Sequence, residues 1–322
     1  MLKPVFQLFY EKKNITKDVS AYVTSIEYTD VEDGESDELQ ITFEDSENLW
    51  QGAWIPTKGD CLEAHIGYDL SKLLNCGVFE IDELEFDTPP DVVIVKGLAT
   101  GIKKPFRQKN SQGYESTTLK QIALKVAKKH NLTLIGDIED IQVDRITQNK
   151  ESDLTFLSRL AEEYGYVFKV TDKNLVFYDV QQLRGAKSTH IFYKSDLSRI
   201  NLREKTSQKY KSVQVSYYDP KKKKTVKASA RNESVKKGDT LKITVRCSNR
   251  KQAVQKAKAA LSTADTTIQG SIELVGNPYL VAGLNIELKG IGHFSGKYHI
   301  KQVRHVIDRN TGYKTYCEVE SA

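Results

Sequence analysis

The chain has 322 residues, 39% apolar and 28% charged, with 48 Lys and Arg against 43 Asp and Glu. That length suits two or three domains, and the modest apolar share, with 16 Tyr and 11 Phe in it, points to half-solvated antiparallel sheets. No run of about 18 apolar residues exists, which excludes a membrane-spanning helix, and the N-terminal "MLKPVFQLFYEKKN" has no apolar stretch long enough for a secretory signal. The protein is expected to be made in a cytoplasm and to stay soluble.

Charge is unevenly placed: residues 27–50 are acidic, and 203–258 are rich in Lys and Arg. A basic segment of this kind reads as a solvated surface or a charge-matched partner site; nucleic-acid binding is the alternative. Cys61, Cys76, Cys247 and Cys317 lie far apart without a C-x-x-C pair, which predicts reduced, mostly buried thiols rather than a zinc or redox site.

Residues 1–105 read as short strands. "VFQLFYEKKNITKDVS" holds an extended run and a turn at Lys13-Asn14, and "AYVTSIEYTDVE" and "DELQITFEDS" alternate apolar and polar residues around a turn signal at Asp33-Gly34. "TKGDCLEAHIGY", "GVFEIDELEFDT" and "DVVIVKGLAT" follow at roughly ten-residue spacing, the pattern of a small barrel or sandwich. Trp50 and Trp54 sit in the irregular link "ENLWQGAWIPTKGD", where they are expected to plug a barrel end or to meet a subunit.

The period then changes. "STTLKQIALKVAKKHN" puts Leu119, Ile122, Ala123, Val126 and Ala127 on one helical face, with Ser116 or Thr117 as the cap. "SDLTFLSRLAEEYG" does the same with Leu154, Leu157, Leu160, Ala161 and Tyr164, capped by Ser152 and closed by Gly165. A hairpin over "YVFKV" and "LVFYDV", turning at residues 171–174, completes an α+β module over 106–178.

Strands return after about residue 180. "KSVQVSYYD" and "TVKASA" form a hairpin around "PKKKK", whose four lysines must project into water or onto an acidic partner. "DTLKITVRC" is a further strand. "NRKQAVQKAKAALS" is a helix with Ala253, Val254, Ala257, Ala260 and Leu261 on one face, and Asn249 and Gln252 stand at capping-box spacing. "GSIELVG", "LNIELKG", "KYHIKQVRHVID" and "YKTYCEVE" finish the chain as strands. The expected fold class is α+β, mainly β: a first small β-barrel over 1–105, the α+β module over 106–178, and a second β-barrel over 179–322 with a helix inserted near 249–262.

The stretch "GIGHFSGKY" has the glycines of a phosphate grip but not its pattern. Ile291 stands where a P-loop needs Gly, Tyr298 where it needs Ser or Thr, and Ser295 replaces the third glycine of a dinucleotide loop. A strand pattern follows it instead of a helix, so the glycines are expected to serve a turn. No G-x-S-x-G, H-E-x-x-H or D-x-D-x-D-G motif occurs. His299 and His305 are about 20 Å apart on an extended strand, too far for a shared metal, and with His293 are expected at the surface or an interface. Glu80, Asp82, Glu83 and Glu85 fit solvent-facing strand positions or a turn, and Tyr217-Tyr218 fits stacking on bases and an exposed hairpin tip equally well. No catalytic residue, cofactor or metal is expected; a cell-wall hydrolase would need a carboxylate pair in a cleft.

Several stretches together resemble a known family. "DELQITFEDSENLWQGAWIPTKGDCLEAHIGY", "CGVFEIDELEFDTPPDVVIVKGLA", "TLKQIALKVAKKHNLTL" with "QNKESDLTFLSRLAEEYGYVFKVTDKNLVFYD", and "NPYLVAGLNIELKGIGHFSGKYHIKQVRHVIDRNTGYKTYCEVE" are similar, in order, to the phage late control protein D group. These are baseplate hub proteins of contractile tails, similar in fold to the N-terminal part of the VgrG spike; residues 203–258 match least. The resemblance implies a structural protein without enzymatic activity, forming a homotrimer whose two barrels per chain give six around one axis. Such a ring would match a sixfold tail tube protein on one face and a threefold spike protein on the other, with tape-measure and baseplate wedge proteins as further candidates. Because VgrG chains continue into a stalk and this chain stops at Ala322, the spike is expected to be a separate polypeptide. The expected location is the virion tail baseplate, or a tail-like particle, assembled in the bacterial cytoplasm. Candidate interface residues are Trp50, Trp54, Lys221, Lys222, Lys223, Lys224, His293 and Phe294.

Overall fold

The computed structural model describes residues 3–33, 36–99, 104–171, 173–205, 210–219, 222–233, 235, 238–264 and 267–322. The first part holds β1 (Val5–Tyr10), β2 (Lys13–Asn14), the short helix α1 (Thr16–Val19), β3 (Val23–Val31), β4 (Glu38–Glu44), β5 (Cys61–Gly67), β6 (Leu74–Asp87) and β7 (Val92–Ala99). Alternation sets their faces: in β4, Leu39, Ile41 and Phe43 point inward while Glu38, Gln40, Thr42 and Glu44 point out. The first turn differs by two residues from expectation. Glu11 and Lys12, both at positive φ, make it, and Lys13-Asn14 already pairs with β1.

The middle part holds α2 (Lys104–Arg107), β8 (Lys109–Thr118), α3 (Leu119–Lys129), β9 (Thr133–Ile135), β10 (Gln142–Ser152), α4 (Asp153–Tyr164), β11 (Tyr166–Thr171), β12 (Asn174–Asp179) and α5 (Val180–Gly185). Helix α3 buries the five residues its periodicity singles out. Its cap is Thr118, in a reciprocal pair with Gln121, rather than Ser116 or Thr117. Helix α4 is capped by Ser152 and closed by Gly165 at φ 80°; of the expected face it buries Leu157, Leu160, Ala161 and Tyr164, with Phe156 in addition, while Leu154 is only half-buried. Among the described residues strands β8 and β10 pair only with each other, and their polar sequences carry no alternation that would announce them.

The last part holds β13 (His190–Tyr193), β14 (Leu197–Glu204), β15 (Ser212–Asp219), β16 (Lys224–Arg231), β17 (Thr240–Thr244), α6 (Arg250–Ala264), β18 (Ile268–Val275), β19 (Asn285–Lys289), β20 (Gly296–Asp308) and β21 (Gly312–Ser321). Thirteen strands form one sheet in the order β14-β18-β21-β20-β3-β4-β7-β6-β5-β1-β2, with β19 on β20 and β13 beside β19. The long β20 joins the halves: residues 296–299 pair with β19 and residues 302–308 with β3. Leu8 of β1 and Ile26 of β3, at opposite ends of their run of strands, share one core, so that half of the sheet curls. Ile272, Ile286, Tyr298 and Ile300 build a second core.

The fold is mainly β, as expected, but two separate closed barrels are not what the sheet forms. Among the described residues no ladder closes either half, and β2 and β14 end one continuous open sheet. Nor do β15, β16 and β17 join the second half. They form their own sheet, β16-β15-β17, because Val213, Val215 and Tyr217 pack on Ala253 and Ala257 of α6. The expected inserted helix is therefore one part of a small unit over residues 210–264. Asn249 accepts from the Gln252 amide, while the Gln252 side chain accepts from Ser248, so the capping exchange is displaced by one residue.

Candidate functional site

The tryptophan link is fixed from beneath by Asp45. Its buried carboxylate accepts from the amides of Trp50 at 2.8 Å and Gln51 at 3.1 Å. Trp50 is buried and stacks on Phe43, ring centres 3.7 Å apart, while Trp54 meets Trp50 edge-on and stays 38% exposed. With Tyr10, Ile15 and Ile55 they line a cleft of about 380 Å³. Trp50 thus plugs the first core and Trp54 caps the plug, in a cleft suited to an apolar side chain.

The other expected contact points lie elsewhere. Lys221 is outside the described residues; Lys222, Lys223 and Lys224 are exposed at the β15–β16 turn, with Lys223 at φ 49°. His293 is exposed on a single 3₁₀ turn, its Nε2 2.8 Å from Glu204, with Phe294 half-buried behind it. Gly290 and Gly292 have positive φ and the chain runs on into β20, so "GIGHFSG" is a turn between strands. Among the described residues no hydrogen bond or ion pair joins the three groups.

The structure corrects the placement of two histidines. His299 and His305 are both buried, not on the surface. His305 shares the inward register of Val303 and Ile307, bonds the Leu280 carbonyl and Tyr313 hydroxyl, and burial pushes its pKa down to about 4. That register, V-x-H-x-I, is the signal in the sequence that identifies it as inward. His299 touches Glu32 at 2.5 Å and Asn285 at 2.8 Å, and Asn285 reaches the Leu183 and Ala186 carbonyls around the end of α5.

These contacts belong to an ionic junction that sequence reasoning misses. Lys169 of β11 lies 2.5 Å from Asp30 of β3 and 2.8 Å from Asp37, and Asp30 also accepts from the Ala282 amide. One half-buried ammonium therefore ties the middle module to the first half of the sheet, and Asp30 ties both to the second. Burial, opposed by Lys169 and reinforced by Asp30, pushes Asp37 up to about 6. Burial also works against the Glu32 carboxylate, but hydrogen bonding to His299 and the charge of Lys301 hold it below its ordinary value. Arg184 of α5 meets Glu320 of β21 at 2.5 Å, and Lys256 of α6 meets Glu163 of α4 at 2.6 Å. Each pair spans two units, so the junction fixes orientation. No group of three or more His, Cys, Asp or Glu suited to a metal ion occurs among the described residues.

The model of a family described as phage tail baseplate hub (GPD) matches residues 106–311. Two curated relatives, each named probable baseplate hub protein, come from Escherichia phage 186, 29% identical over 178 residues, and Escherichia phage P2, 28% identical over 183 residues. The matches cover 55% and 56% of this chain but 45% and 46% of the relatives, less than half of their length. Among solved structures, a tail protein from Neisseria meningitidis MC58 shares the fold with TM-score 0.74 at 11% identity, over 99% of this chain and 96% of that one. A 43 kDa tail protein of prophage MuSo2 from Shewanella oneidensis gives 0.69 at 16%, over 98% and 95%. An E. coli component of the type VI secretion system gives 0.54 at 16%, over 92% and 73%.

Proposed function

The chain belongs to the phage tail baseplate hub (GPD) family, and from that premise we propose that it is a homotrimeric hub joining a sixfold tail tube to a threefold spike. The observation that carries this reading is the doubled sheet: one chain holds two halves, each around its own core, fused through β20. Three copies offer six such halves around one axis, so a single ring faces partners of both symmetries. The tube and spike proteins are the direct partners, with tape-measure and baseplate wedge proteins beside them, in the baseplate of a phage tail or tail-like particle.

The role asks for contact surfaces rather than for chemistry, in keeping with the names of the relatives. Strand β13 offers one such surface: Ile191 and Tyr193 are exposed, and β19 is its one partner strand among the described residues, which suits strand addition. Trp54 with Ile55 above the plug formed by Trp50, the Lys222–Lys224 turn, and His293 with Phe294 are further contact points. Mass measurement in solution tests the reading. Three copies per particle at micromolar concentration support it; a strict monomer, even with tube protein added, contradicts it.

A further inference from the structure

Residues 210–264 contain fifteen Lys and Arg but three Asp and Glu, in a chain whose net charge is +5. Their arrangement is specific. Val213, Val215 and Tyr217 turn toward α6, so the alternate positions of the same sheet face away from it. The register sets Arg231 beside Ser212, Lys227 beside Ser216, and Lys242 beside Gln214. The rest of that face is Ser, Thr, Gln and the 62% exposed Tyr218, without one carboxylate. The ion pairs of this unit among the described residues are Lys222–Asp219 and Lys256–Glu163, so Lys227, Arg231 and Lys242 stand exposed and unpaired.

The first half of the large sheet has the opposite outer face. With Leu39, Ile41, Val93 and Val95 inward, Glu38 of β4 and Glu83, Glu85 and Asp87 of β6 point out. Lys96, between Glu83 and Glu85, is the one Lys or Arg in β4, β5, β6 and β7. Among the described residues no ion pair joins this face to the basic sheet of the same chain.

We propose that the outer face of β16-β15-β17 docks on the outer face of β4-β7-β6 in a second copy of this chain. This rests on the trimeric reading and says which surfaces build the ring. Two different, complementary faces on one molecule make a head-to-tail contact, and such contacts close into rings when the rotation per step allows. Each copy gives its basic face to one neighbour and receives the next on its acidic face. Charge complementarity of this kind speeds encounter and excludes wrong registers, and its exposed pairs weaken as salt rises.

The test uses the full chain and three variants: Lys227→Glu/Arg231→Glu/Lys242→Glu, Glu83→Lys/Glu85→Lys/Asp87→Lys, and all six changes together. Native mass spectrometry and sedimentation read the association, and thermal melting confirms the fold. Each triple variant is expected to melt like wild type and to associate about a hundredfold more weakly, and the combined variant to return to within about tenfold of wild type. A folded triple variant that stays trimeric overturns the docking faces while leaving the trimer intact. A monomeric wild type sinks the trimer itself, and the docking with it. If the chain binds a duplex DNA probe at about 50 mM salt, and the first variant loses that binding yet stays trimeric, the basic face is a nucleic-acid site and the proposal fails.

Discussion

The ionic junction and the basic outer sheet are built from the same residue types and do opposite things. At the junction Asp30 and Asp37 are buried and paired with Lys169, whose side chain is only 16% exposed, over sequence separations as large as 139 residues. On the outer sheet Lys227, Arg231 and Lys242 are exposed and, among the described residues, have no ion-pair partner. Desolvated charges are costly to leave unpaired, so the junction admits one relative orientation of its units. Solvated charges cost little, so the outer face stays available for a surface that brings the opposite sign. The contrast separates what holds the chain in shape from what the chain offers to others.

Substitutions can break that contrast in order of size. Trp50→Ala empties the plug beside Phe43 and should destabilise the fold by about 4 kcal/mol in denaturant titration. Lys169→Met leaves two buried carboxylates facing each other and should cost about 3 kcal/mol by the same measurement. A cost near zero would show that the junction is solvated. Gly165→Val places a branched side chain at φ 80°, with its Cβ 3.1 Å from that of Ala259 in α6, and should cost about 2 kcal/mol. Unchanged melting would mean that α4 does not end in that left-handed turn.

A gentler test uses pH. His305 has its folded pKa depressed to about 4 from 6.5, so the stability it contributes is complete above the unfolded value and is lost as pH falls toward 4. Asp37 is raised to about 6 from 3.8, so its contribution is present below the unfolded value and is lost as pH rises through 6. The two oppose each other between about pH 4 and 6. Asp37→Asn should therefore steepen the loss of stability on acidification in that window, and His305→Gln should flatten it, read as urea midpoints across pH. Smallest of all, Trp54→Ala removes a half-exposed ring and should cost under about 1 kcal/mol, although association with partners should weaken.

Local features were legible in the sequence. Ser152 and Gly165 mark the ends of α4, and the buried face of α3 follows from its 3.6-residue period, because caps and amphipathicity depend on near neighbours. What was hidden depends on distant ones. Nothing near Lys169 announces Asp30, and no pattern in "KYHIKQVRHVID" shows that its first part pairs with β19 and its last part with β3. That split fuses the two expected barrels into one open sheet. Strands β8 and β10 are not legible because polar ribbons lack alternation, and the separate sheet of β15 to β17 is not legible because alternation gives a face but not a partner. Of the candidate contact residues, the exposed positions were readable from loop composition; the buried junction was not.

Electron microscopy of the purified protein tests the central claim most directly. Class averages with a threefold axis and six sheet lobes around it are the expected result. Averages of isolated single copies, or of a ring whose copies are not a multiple of three, would contradict it.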